Sequence, residues 1–189
     1  MQLNLNFEPF PQLQTQRLLL REPALSDAAE LHDLRSDDSV IKYLDRAKPA
    51  SIDETAEFLN KVITNQTNGD GIMWIISRPD NTGVMGTIGF WRIDKPHFRA
   101  EVGYMLFPQY QRLGYMYEAL KSVISFGFNF MNLHSIEANC NPENKASMQL
   151  LEKCGFVKEA HFKENYYYNG KFLDSVIYSA INTPAVQAL

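Results

Sequence analysis

The apolar residues of the N-terminal third change period, which predicts a short strand followed by two helices. Residues 17–22 form an apolar run with charged residues at its ends, a pattern typical of a strand. Ser26 offers an N-cap for a helix over residues 26–35. A second helix is predicted over residues 51–64, because Ser51 and Glu54 have the spacing of a capping box.

Three short β-rich runs follow and predict an antiparallel meander. They cover Ile72–Ser77, residues 84–92 and residues 99–107. The two intervening turns are too short for a crossover helix, which favours antiparallel over parallel pairing. Trp74 and Trp91 lie on these strands and are predicted to belong to the core.

The C-terminal half returns to helical spacing and ends in a hairpin. An apolar stripe predicts a helix over residues 114–131, then a strand over Ser135–Cys140 and a helix over residues 144–153. This β-α-β order implies a locally parallel pair of strands. The Asn169-Gly170 pair favours a tight type I′ turn. We therefore predict one α/β (α+β) domain over residues 1–189, with a mixed sheet of about seven strands and helices on both faces.

The composition excludes some classes of protein without selecting a function. The 189 residues carry 18 Lys and Arg against 22 Asp and Glu, a formal net charge of −4. Binding to nucleic acid is not expected, since neutralising phosphates requires a basic surface. No stretch approaches about 18 uninterrupted apolar residues and the N-terminus lacks a secretory pattern, so we expect a cytoplasmic protein without membrane contact.

The cysteines and histidines form neither a disulfide pattern nor a metal pattern. Cys140 and Cys154 lack the spacing of a zinc site and are expected to be reduced thiols. The four histidines are scattered, with no pair at helical spacing, so no metal site is predicted. Cys154 is a poor candidate nucleophile, because no histidine or cationic neighbour is evident that would lower its pKa.

The most informative stretch, residues 104–120, runs from a predicted strand into a predicted helix. Its loop is polar, and a single glycine, Gly114, stands at the start of the helix. The first turn of a helix exposes unpaired N–H groups at the positive end of the helix dipole, which suits an anion such as a diphosphate. A lone glycine before a helix also occurs as plain punctuation, so the local pattern leaves both interpretations open.

At these residues the sequence resembles the GNAT acyltransferases, whose phosphate loop reads Q/R-x-x-G-x-G/A between the fourth strand and the following helix. Gln111 and Gly114 match the first and fourth positions, and Met116 stands at the last. Further blocks resemble the branch that contains ribosomal-protein N-terminal acetyltransferases, and they place the domain core at about residues 15–181. These blocks are TQRLLLR at 15–21, AEVGY at 100–104, GYMYEA at 114–119, NKAS at 144–147, EKCGF at 152–156, and Asn169-Gly170 with Asp174 and Tyr178.

The resemblance implies a splayed, mostly antiparallel sheet that binds acetyl-CoA chiefly through its backbone. The pyrophosphate is expected on the loop amides of Gln111, Arg112, Leu113, Gly114, Tyr115 and Met116. Pantetheine is expected along the strand end at Met105, Leu106 and Phe107. The Asn144 side chain is a further expected contact, with an N-cap as its other role. An amide near Leu106 polarises the thioester carbonyl in similar enzymes, as an oxyanion hole does.

The resemblance also implies candidates for proton transfer. Glu101 is the candidate base for the acceptor amine, and alternation places it on one face with Gly103, whose missing side chain leaves room for substrate or water. An ion pair with Arg99 or a neighbouring strand is its alternative role. Ser147 is the candidate acid for the departing thiolate, with Tyr166 or a water as substitutes, and a cap or solvent contact is its alternative role.

The predicted reaction is direct acetyl transfer to a primary amine, for which the branch implies a protein N-terminal α-amine. The alternative acceptor is a small amine, such as a polyamine or an aminoglycoside, and a basic acceptor would favour an acidic pocket. Such a pocket is expected at the acidic residues of the two N-terminal helices: Asp27, Glu30, Asp33, Asp37, Asp38, Asp53, Glu54 and Glu57. These residues are equally consistent with a solvated face.

Two further hypotheses come from the same residues. A non-catalytic acyl-CoA-binding module would keep the phosphate loop without needing Glu101 or Ser147. A different donor such as succinyl-CoA would need a cation near the acyl end, which sequence spacing does not locate. A homodimer through an exposed sheet edge or the C-terminal hairpin is allowed but not required.

Overall fold

The computed structural model describes residues 2–183. The strands are β1 Leu13–Gln14, β2 Leu19–Arg21, β3 Ile72–Ser77, β4 Gly86–Asp94, β5 Arg99–Leu106, β6 Ser135–Cys140, β7 Val157–Tyr168 and β8 Lys171–Ile181. The α-helices are α1 Ala28–Ser36, α2 Asp38–Ile41, α3 Ile52–Thr67, α4 Tyr115–Asn129 and α5 Lys145–Lys153. Within this part of the chain, no helix combines the length and the apolar character needed to span a membrane.

The strands form one open sheet in the order β1-β2-β3-β4-β5-β6-β8-β7. Neighbouring strands are antiparallel except for β5 and β6, which are joined through α4 and run parallel, as the β-α-β order predicts. The parallel ladder runs only from the Arg99–Ser135 pair to the Glu101–Glu137 pair, and beyond it the two strands separate. The splayed sheet implied by the family resemblance is therefore confirmed.

Helices cover both faces of this sheet. Successive strand residues point to opposite faces, and Trp74 of β3 packs beneath α4, where its ring meets Phe126 edge-on with centroids 5.2 Å apart. Its neighbour Met73 faces the other side and packs against the cluster that contains Leu31 of α1 and Leu59 of α3. The predicted α/β class, with helices on two faces, is confirmed.

The predicted cap of α3 and the predicted hairpin turn are both present. Ser51 caps α3 by accepting a hydrogen bond from the Glu54 N–H at 3.2 Å. Asn169 and Gly170 have φ values of 47° and 82°, and a type I′ turn requires a positive φ at both positions. They join β7 to β8 as an antiparallel hairpin.

The differences from the predicted elements lie mainly near the N-terminus. The strand predicted over residues 17–22 is shorter and pairs with β1, so the sheet has eight strands rather than about seven. The helix predicted over residues 26–35 opens with a 3-10 turn at Leu25–Asp27, and Ser26 is not its cap. Instead, the Asp27 carboxylate accepts a hydrogen bond from the Ala24 N–H at 2.8 Å and pairs with Arg21 at 2.7 Å.

The prediction that Trp91 belongs to the core is wrong, because this residue is 60% exposed. Phe90 is buried beneath α4, so alternation turns Trp91 to the opposite face. A β-bulge also falls here, since the register passes from Phe90–Val102 to Arg92–Glu101 and leaves Trp91 without a partner. The indole lies over Gly103, where an added Cβ would come within 3.2 Å of the Trp91 Cδ1. Trp91 therefore fills the room expected beside Gly103.

Candidate active site

The separation of β5 from β6 opens a cavity of about 690 Å³ in the middle of the sheet. Its wall includes residues of β5, of the segment between α1 and α3, and of β7. Among the lining residues are Arg35, Asp45, Arg46, Glu101, Tyr104 and Tyr166. A concave site of this volume, with apolar walls and a few convergent polar groups, is typical of a site for a small molecule or a chain terminus.

Glu101 lies at the apex of the splay, as the last residue of β5 that pairs with β6. Its side chain is 9% exposed, and its carboxylate lies 3.1 Å from Nη2 of Arg92 on β4. Burial raises the pKa of Glu101 to about 7, with Arg92 and Arg99 opposing the rise and Glu137 adding to it. A carboxylate with this pKa exchanges its proton near neutral pH, which a general base must do.

The ion pair considered as an alternative role for Glu101 is also present. It is made with Arg92, the cross-strand neighbour, whereas Arg99 pairs with Asp94 at 3.3 Å and with Glu137 at 3.5 Å. The Arg92 side chain is 58% exposed, so water screens its charge. Burial of the Glu101 carboxylate therefore outweighs the pair, and the ion pair does not remove Glu101 as a candidate base.

Two hydroxyl groups bridge the open side of the splay. Ser147 Oγ on α5 lies 2.7 Å from the Tyr104 hydroxyl on β5 and 3.4 Å from Cys140 Sγ. Asn144 caps α5 by accepting a hydrogen bond from the Ser147 N–H at 3.1 Å, so the capping role of Asn144 is confirmed. Burial raises the pKa of Tyr104 above its usual range, although the bond to Ser147 opposes this. The phenol therefore keeps its proton at neutral pH.

The sequence analysis missed Tyr104 as a functional candidate. Its partner Ser147 lies 43 residues further along the chain, and no local spacing connects the two side chains. The available signal was its place at the end of the AEVGY block, three residues after Glu101 on a strand predicted to reach the cofactor.

The β5 backbone presents alternate residues to the open side. The Phe107 N–H donates to the Met85 carbonyl at 3.0 Å, so the backbone N–H of Phe107 points toward the β4 side of the strand. Strand alternation gives Met105 the same direction and turns the N–H of Leu106 toward the open side. Of the three residues predicted to meet pantetheine, Leu106 thus offers the free amide, and its carbonyl accepts a hydrogen bond from Gln111 Nε2 at 2.9 Å.

The loop between β5 and α4 has the geometry expected of an anion site. Gly114 and Arg112 have φ values of 83° and 61°, in the left-handed region. The first backbone N–H bonded within the helix is that of Glu118, which donates to the Gly114 carbonyl at 3.1 Å. The preceding N–H groups of the turn therefore have no acceptor within the helix. Met116 packs into the core, so its side chain leaves the loop surface clear.

Arg17 adds a positive charge beside this loop. Its Nη1 donates to the Leu113 carbonyl at 3.1 Å, and its guanidinium lies 4.5 Å from the centre of the Tyr115 ring. The Glu118 carboxylate holds the Arg17 Nε at 2.7 Å. Burial alone would raise the pKa of Glu118, yet hydrogen bonds from Thr15 and Arg17 hold this pKa below its usual range. Glu118 therefore holds the guanidinium of Arg17 beside the loop.

The two thiols are unsuited to act as nucleophiles. Cys140 and Cys154 are both free and buried. Burial raises the pKa of Cys154 to about 11, against the nearby charges of Lys121 and Lys153, and burial also raises the pKa of Cys140. In residues 2–183 no group of three His, Cys, Asp or Glu side chains is placed to hold a metal ion.

The acidic residues expected to form an acceptor pocket do not line this cavity within the described ranges, and that prediction is wrong. Backbone N–H groups use some of these carboxylates locally: Glu30 accepts from Val84 at 2.9 Å, and Asp37 caps α2. The corresponding wall of the cavity contains Arg35 and Arg46 instead.

Tyr166, considered as a substitute acid, also lies in the cavity wall. Its hydroxyl donates to the Asp45 carboxylate, and burial together with this bond raises the pKa of Tyr166 above its usual range. The adjacent Tyr167 instead packs across the hairpin on Phe172, with ring centroids 5.2 Å apart. Tyr166 thus lies in the cavity wall with its hydroxyl held by Asp45.

Comparison with known proteins identifies the family. The acetyltransferase (GNAT) domain family matches residues 17–157. An uncharacterised N-acetyltransferase of Bacillus subtilis, YoaA, is 35% identical over 172 residues, which cover 91% of this chain and 97% of that protein. A spermidine N(1)-acetyltransferase of Vibrio cholerae is 26% identical over 158 residues, or 84% and 89% of the two chains.

Two further similarities concern the branch and the fold. A [ribosomal protein uS5]-alanine N-acetyltransferase of Escherichia coli is 34% identical over 107 residues, which cover 56% of this chain and 55% of that enzyme. A GNAT-family acetyltransferase of Bacillus anthracis has a solved structure that aligns with a TM-score of 0.80 at 27% identity, covering 90% of this chain and 98% of that one. The chain therefore belongs to the GNAT acetyltransferase family and is an N-acetyltransferase dependent on acetyl-CoA.

Proposed function

We propose that this protein transfers the acetyl group of acetyl-CoA directly to the α-amine of a protein N-terminus, with Glu101 as the general base. The observation that carries the proposal is the position of Glu101. A buried carboxylate whose pKa is about 7 stands at the apex of the splay and faces the cavity. At pH 7 about half of it is ionised and at pH 8 most of it is, so it accepts a proton from the attacking amine, directly or through one water.

The acyl donor, acetyl-CoA, fits the end of β5 and the loop that follows it. The unbonded N–H groups before Glu118 and the charge of Arg17 suit a pyrophosphate. The free N–H of Leu106 lies where a strand-like pantetheine would continue the sheet and where a thioester oxygen would find a donor. Met116 leaves the loop surface open, and Asn144 orders the start of α5 beside it. These residues therefore fit the group that the family binds.

The proton balance of the transfer is complete with these side chains. The amine nitrogen attacks the thioester carbonyl carbon, an N–C bond forms, the C–S bond breaks, and the proton of the amine passes to Glu101. The departing sulfur receives a hydrogen bond and a proton from Ser147, whose Oγ lies 2.7 Å from the Tyr104 hydroxyl. Solvent returns a proton to this hydroxyl pair and takes one from Glu101, so the site returns to its starting state. Burial raises the pKa of Tyr104 above its usual range, so the phenol keeps its proton at neutral pH and can hydrogen-bond to Ser147.

Two features favour an α-amine over a polyamine. An α-amine has a pKa of about 8 and a lysine-type amine a pKa of about 10.4. Near neutral pH, an α-amine therefore costs less free energy to deprotonate before it attacks. Arg35 and Arg46 line the cavity and repel a polycation. The relatives named above include enzymes for a ribosomal protein and for spermidine, so the acceptor is the point to test.

The test is release of free CoA thiol from acetyl-CoA by the purified protein. The acceptors are peptides with free N-termini, spermidine and an aminoglycoside, and Glu101→Gln and Glu137→Gln are assayed in parallel. Glu137 belongs to the same charged cluster but does not line the cavity in the described part of the chain, so Glu137→Gln is the matched control. We expect turnover with peptides, retained in the control and lost in Glu101→Gln.

Other outcomes distinguish the alternatives. Turnover with spermidine and not with peptides would replace the proposed acceptor. An increase in Tm with acetyl-CoA, but no turnover with any amine, would favour the acyl-CoA-binding module. Cytoplasmic location and a homodimer stay predictions from the sequence.

A further inference from the structure

Two arginines stand together on the acceptor side of the cavity. Arg35 lies in the last turn of α1 and Arg46 in the segment between α2 and α3, and both line the cavity wall. They are close enough that the charge of Arg46 acts on Arg35. Burial lowers the pKa of Arg35 to about 10 and lowers the pKa of Arg46, yet both guanidinium groups remain charged at pH 7.

Neither guanidinium forms an ion pair with a carboxylate in residues 2–183. Arg35 stacks on the Phe58 ring at 3.8 Å, and Arg46 Nη2 lies 3.0 Å from the thioether sulfur of Met105, a weak acceptor. The Nε–H of each arginine is buried without a hydrogen-bond acceptor among the described residues. An unsatisfied buried donor destabilises the folded protein, because it has lost its hydrogen bonds to water.

The neighbouring carboxylates are committed elsewhere. Asp45 precedes Arg46 in the chain, but its carboxylate accepts the hydroxyl of Tyr166. The charge of Glu54 reaches Arg35, but Glu54 Oε2 accepts the Ala50 N–H at 2.6 Å at the start of α3. Two partly buried like charges without a direct ion pair oppose folding, and such arrangements concentrate at functional sites.

The chemistry that satisfies this pair is an oxyanion. A guanidinium presents a planar fork of N–H donors that matches the two oxygens of a carboxylate or phosphate. The contact between Arg46 and Met105 places the arginine pair next to the acyl donor, because Met105 belongs to the stretch of β5 expected to hold the acyl end of acetyl-CoA. An oxyanion held here lies close to the reacting amine.

We propose that Arg35 and Arg46 form an oxyanion subsite that selects acceptors carrying a carboxylate or phosphate within one or two residues of the reacting amine. This inference rests on the proposed acetyl transfer and narrows its acceptor. Within the N-terminal peptides, it favours those with Asp, Glu or a phosphorylated residue in the first two positions. The subsite acts by binding and orientation, so its two arginines are specificity residues rather than proton-transfer groups.

The experiment compares paired acceptors with wild type, Arg35→Gln, Arg46→Gln and the control Arg78→Gln, which changes an exposed arginine outside the cavity. The pairs are peptides that differ only by Glu or Gln at the second position. We expect wild type and the control to favour the Glu peptide by about 10- to 100-fold in kcat/KM, the range of a charge-assisted hydrogen bond. In each cavity variant the ratio of kcat/KM for the Glu peptide to that for the Gln peptide should fall to about one, and a retained rise in Tm with acetyl-CoA shows that the variant is folded.

The outcomes distinguish an oxyanion on the acceptor from one on the acyl donor. They also distinguish failure of the subsite from failure of acetyl transfer. Equal rates for both peptides in wild type, or a preference that persists in both cavity variants, overturns the subsite while leaving acetyl transfer intact. A wild-type preference for succinyl-CoA over acetyl-CoA that is lost in the variants places the oxyanion on the donor and overturns the acceptor assignment.

If no amine of the panel turns over, the proposed function fails, and the subsite is judged by binding alone. Malonate is titrated into protein saturated with acetyl-CoA, so that the phosphate loop is occupied, and the fluorescence of the exposed Trp91 reports on the cavity. Binding at least tenfold weaker in Arg46→Gln than in wild type supports the subsite. Equal binding in wild type and all variants overturns it.

Discussion

Replacing Glu101 by glutamine tests whether the buried carboxylate at the apex of the splay is the proton acceptor. The side chain keeps its shape and can still meet Arg92, but it loses the charge that titrates. We expect kcat/KM at pH 8 to fall by about 10²- to 10⁴-fold, the usual contribution of a positioned general base.

The pH profile provides the sharper measurement. With a Glu101 pKa of about 7, wild-type kcat/KM should fall about tenfold for each pH unit below that value, because only the ionised form accepts a proton. The α-amine of a peptide titrates at about pH 8, and this titration adds a second limb to the pH profile of kcat/KM in both wild type and variant. The limb near pH 7 should therefore be present in wild type and absent in Glu101→Gln.

The same shift predicts a pH-dependent difference in stability. Because folding raises the pKa of Glu101 from 4.5 to about 7, the stabilisation due to this group is full below pH 4.5 and is lost as the pH rises to about 7. At about 1.4 kcal/mol per pH unit, the loss is about 3 kcal/mol. Urea unfolding at pH 4 and pH 8 should show Glu101→Gln gaining about this much relative to wild type at the higher pH.

Two results would refute the reasoning. A limb near pH 7 that survives in Glu101→Gln assigns the titration to another group. A wild-type protein that becomes more stable than the variant as the pH rises means that the Arg92 ion pair dominates, since a paired carboxylate has a depressed pKa and contributes its stability at high pH.

Three further predictions concern neighbouring groups. Glu137→Gln removes a negative charge that raises the pKa of Glu101, so the acid limb of kcat/KM should move to lower pH, and an unmoved limb would contradict the charge cluster. Tyr104→Phe removes the partner of Ser147 and should lower kcat about tenfold with little change in the KM for acetyl-CoA; a change in KM alone would indicate a binding role. Gly114→Ala places a side chain at a φ of 83°, where its Cβ also comes within 3.3 Å of Arg17 Nη2. It should raise the KM for acetyl-CoA several-fold and leave the acid limb in place, and an unchanged KM would argue against the loop as the phosphate site.

Several features of this protein follow from local sequence. The Ser51 cap of α3 and the turn at Asn169-Gly170 depend on contacts between residues a few positions apart, and both form as predicted. The Glu54 carboxylate of the predicted capping box, however, accepts the N–H of Ala50 instead of that of Ser51. The loop before α4 belongs to the same class, because the free N–H groups and the conformation of Gly114 are properties of one helix terminus. The parallel β5–β6 pair follows from connectivity, since the intervening helix leaves no room for a hairpin.

The identities of the cavity residues did not follow from local sequence. The acidic side chains of the first helices were expected in the acceptor pocket, but among the described residues they do not line it, and Glu30 and Asp37 instead bond to backbone N–H groups. Trp91 was expected in the core, but a bulge and the alternation of β4 turn it into the cavity. In both cases the sequence shows the residue type, and the direction of the side chain depends on neighbours in other elements.

By itself, the sequence determined the order of the longer helices and strands, the phosphate-loop pattern and the family, because each depends on spacing within short stretches of chain. Only the tertiary structure decided the chemistry of the cavity. The pKa of Glu101 depends on burial beneath other strands and on Arg92, the hydroxyl pair joins Tyr104 to Ser147, and the paired charges of Arg35 and Arg46 meet across a loop. Burial and Coulomb energy depend on distance in space, so these properties arise only when the chain folds.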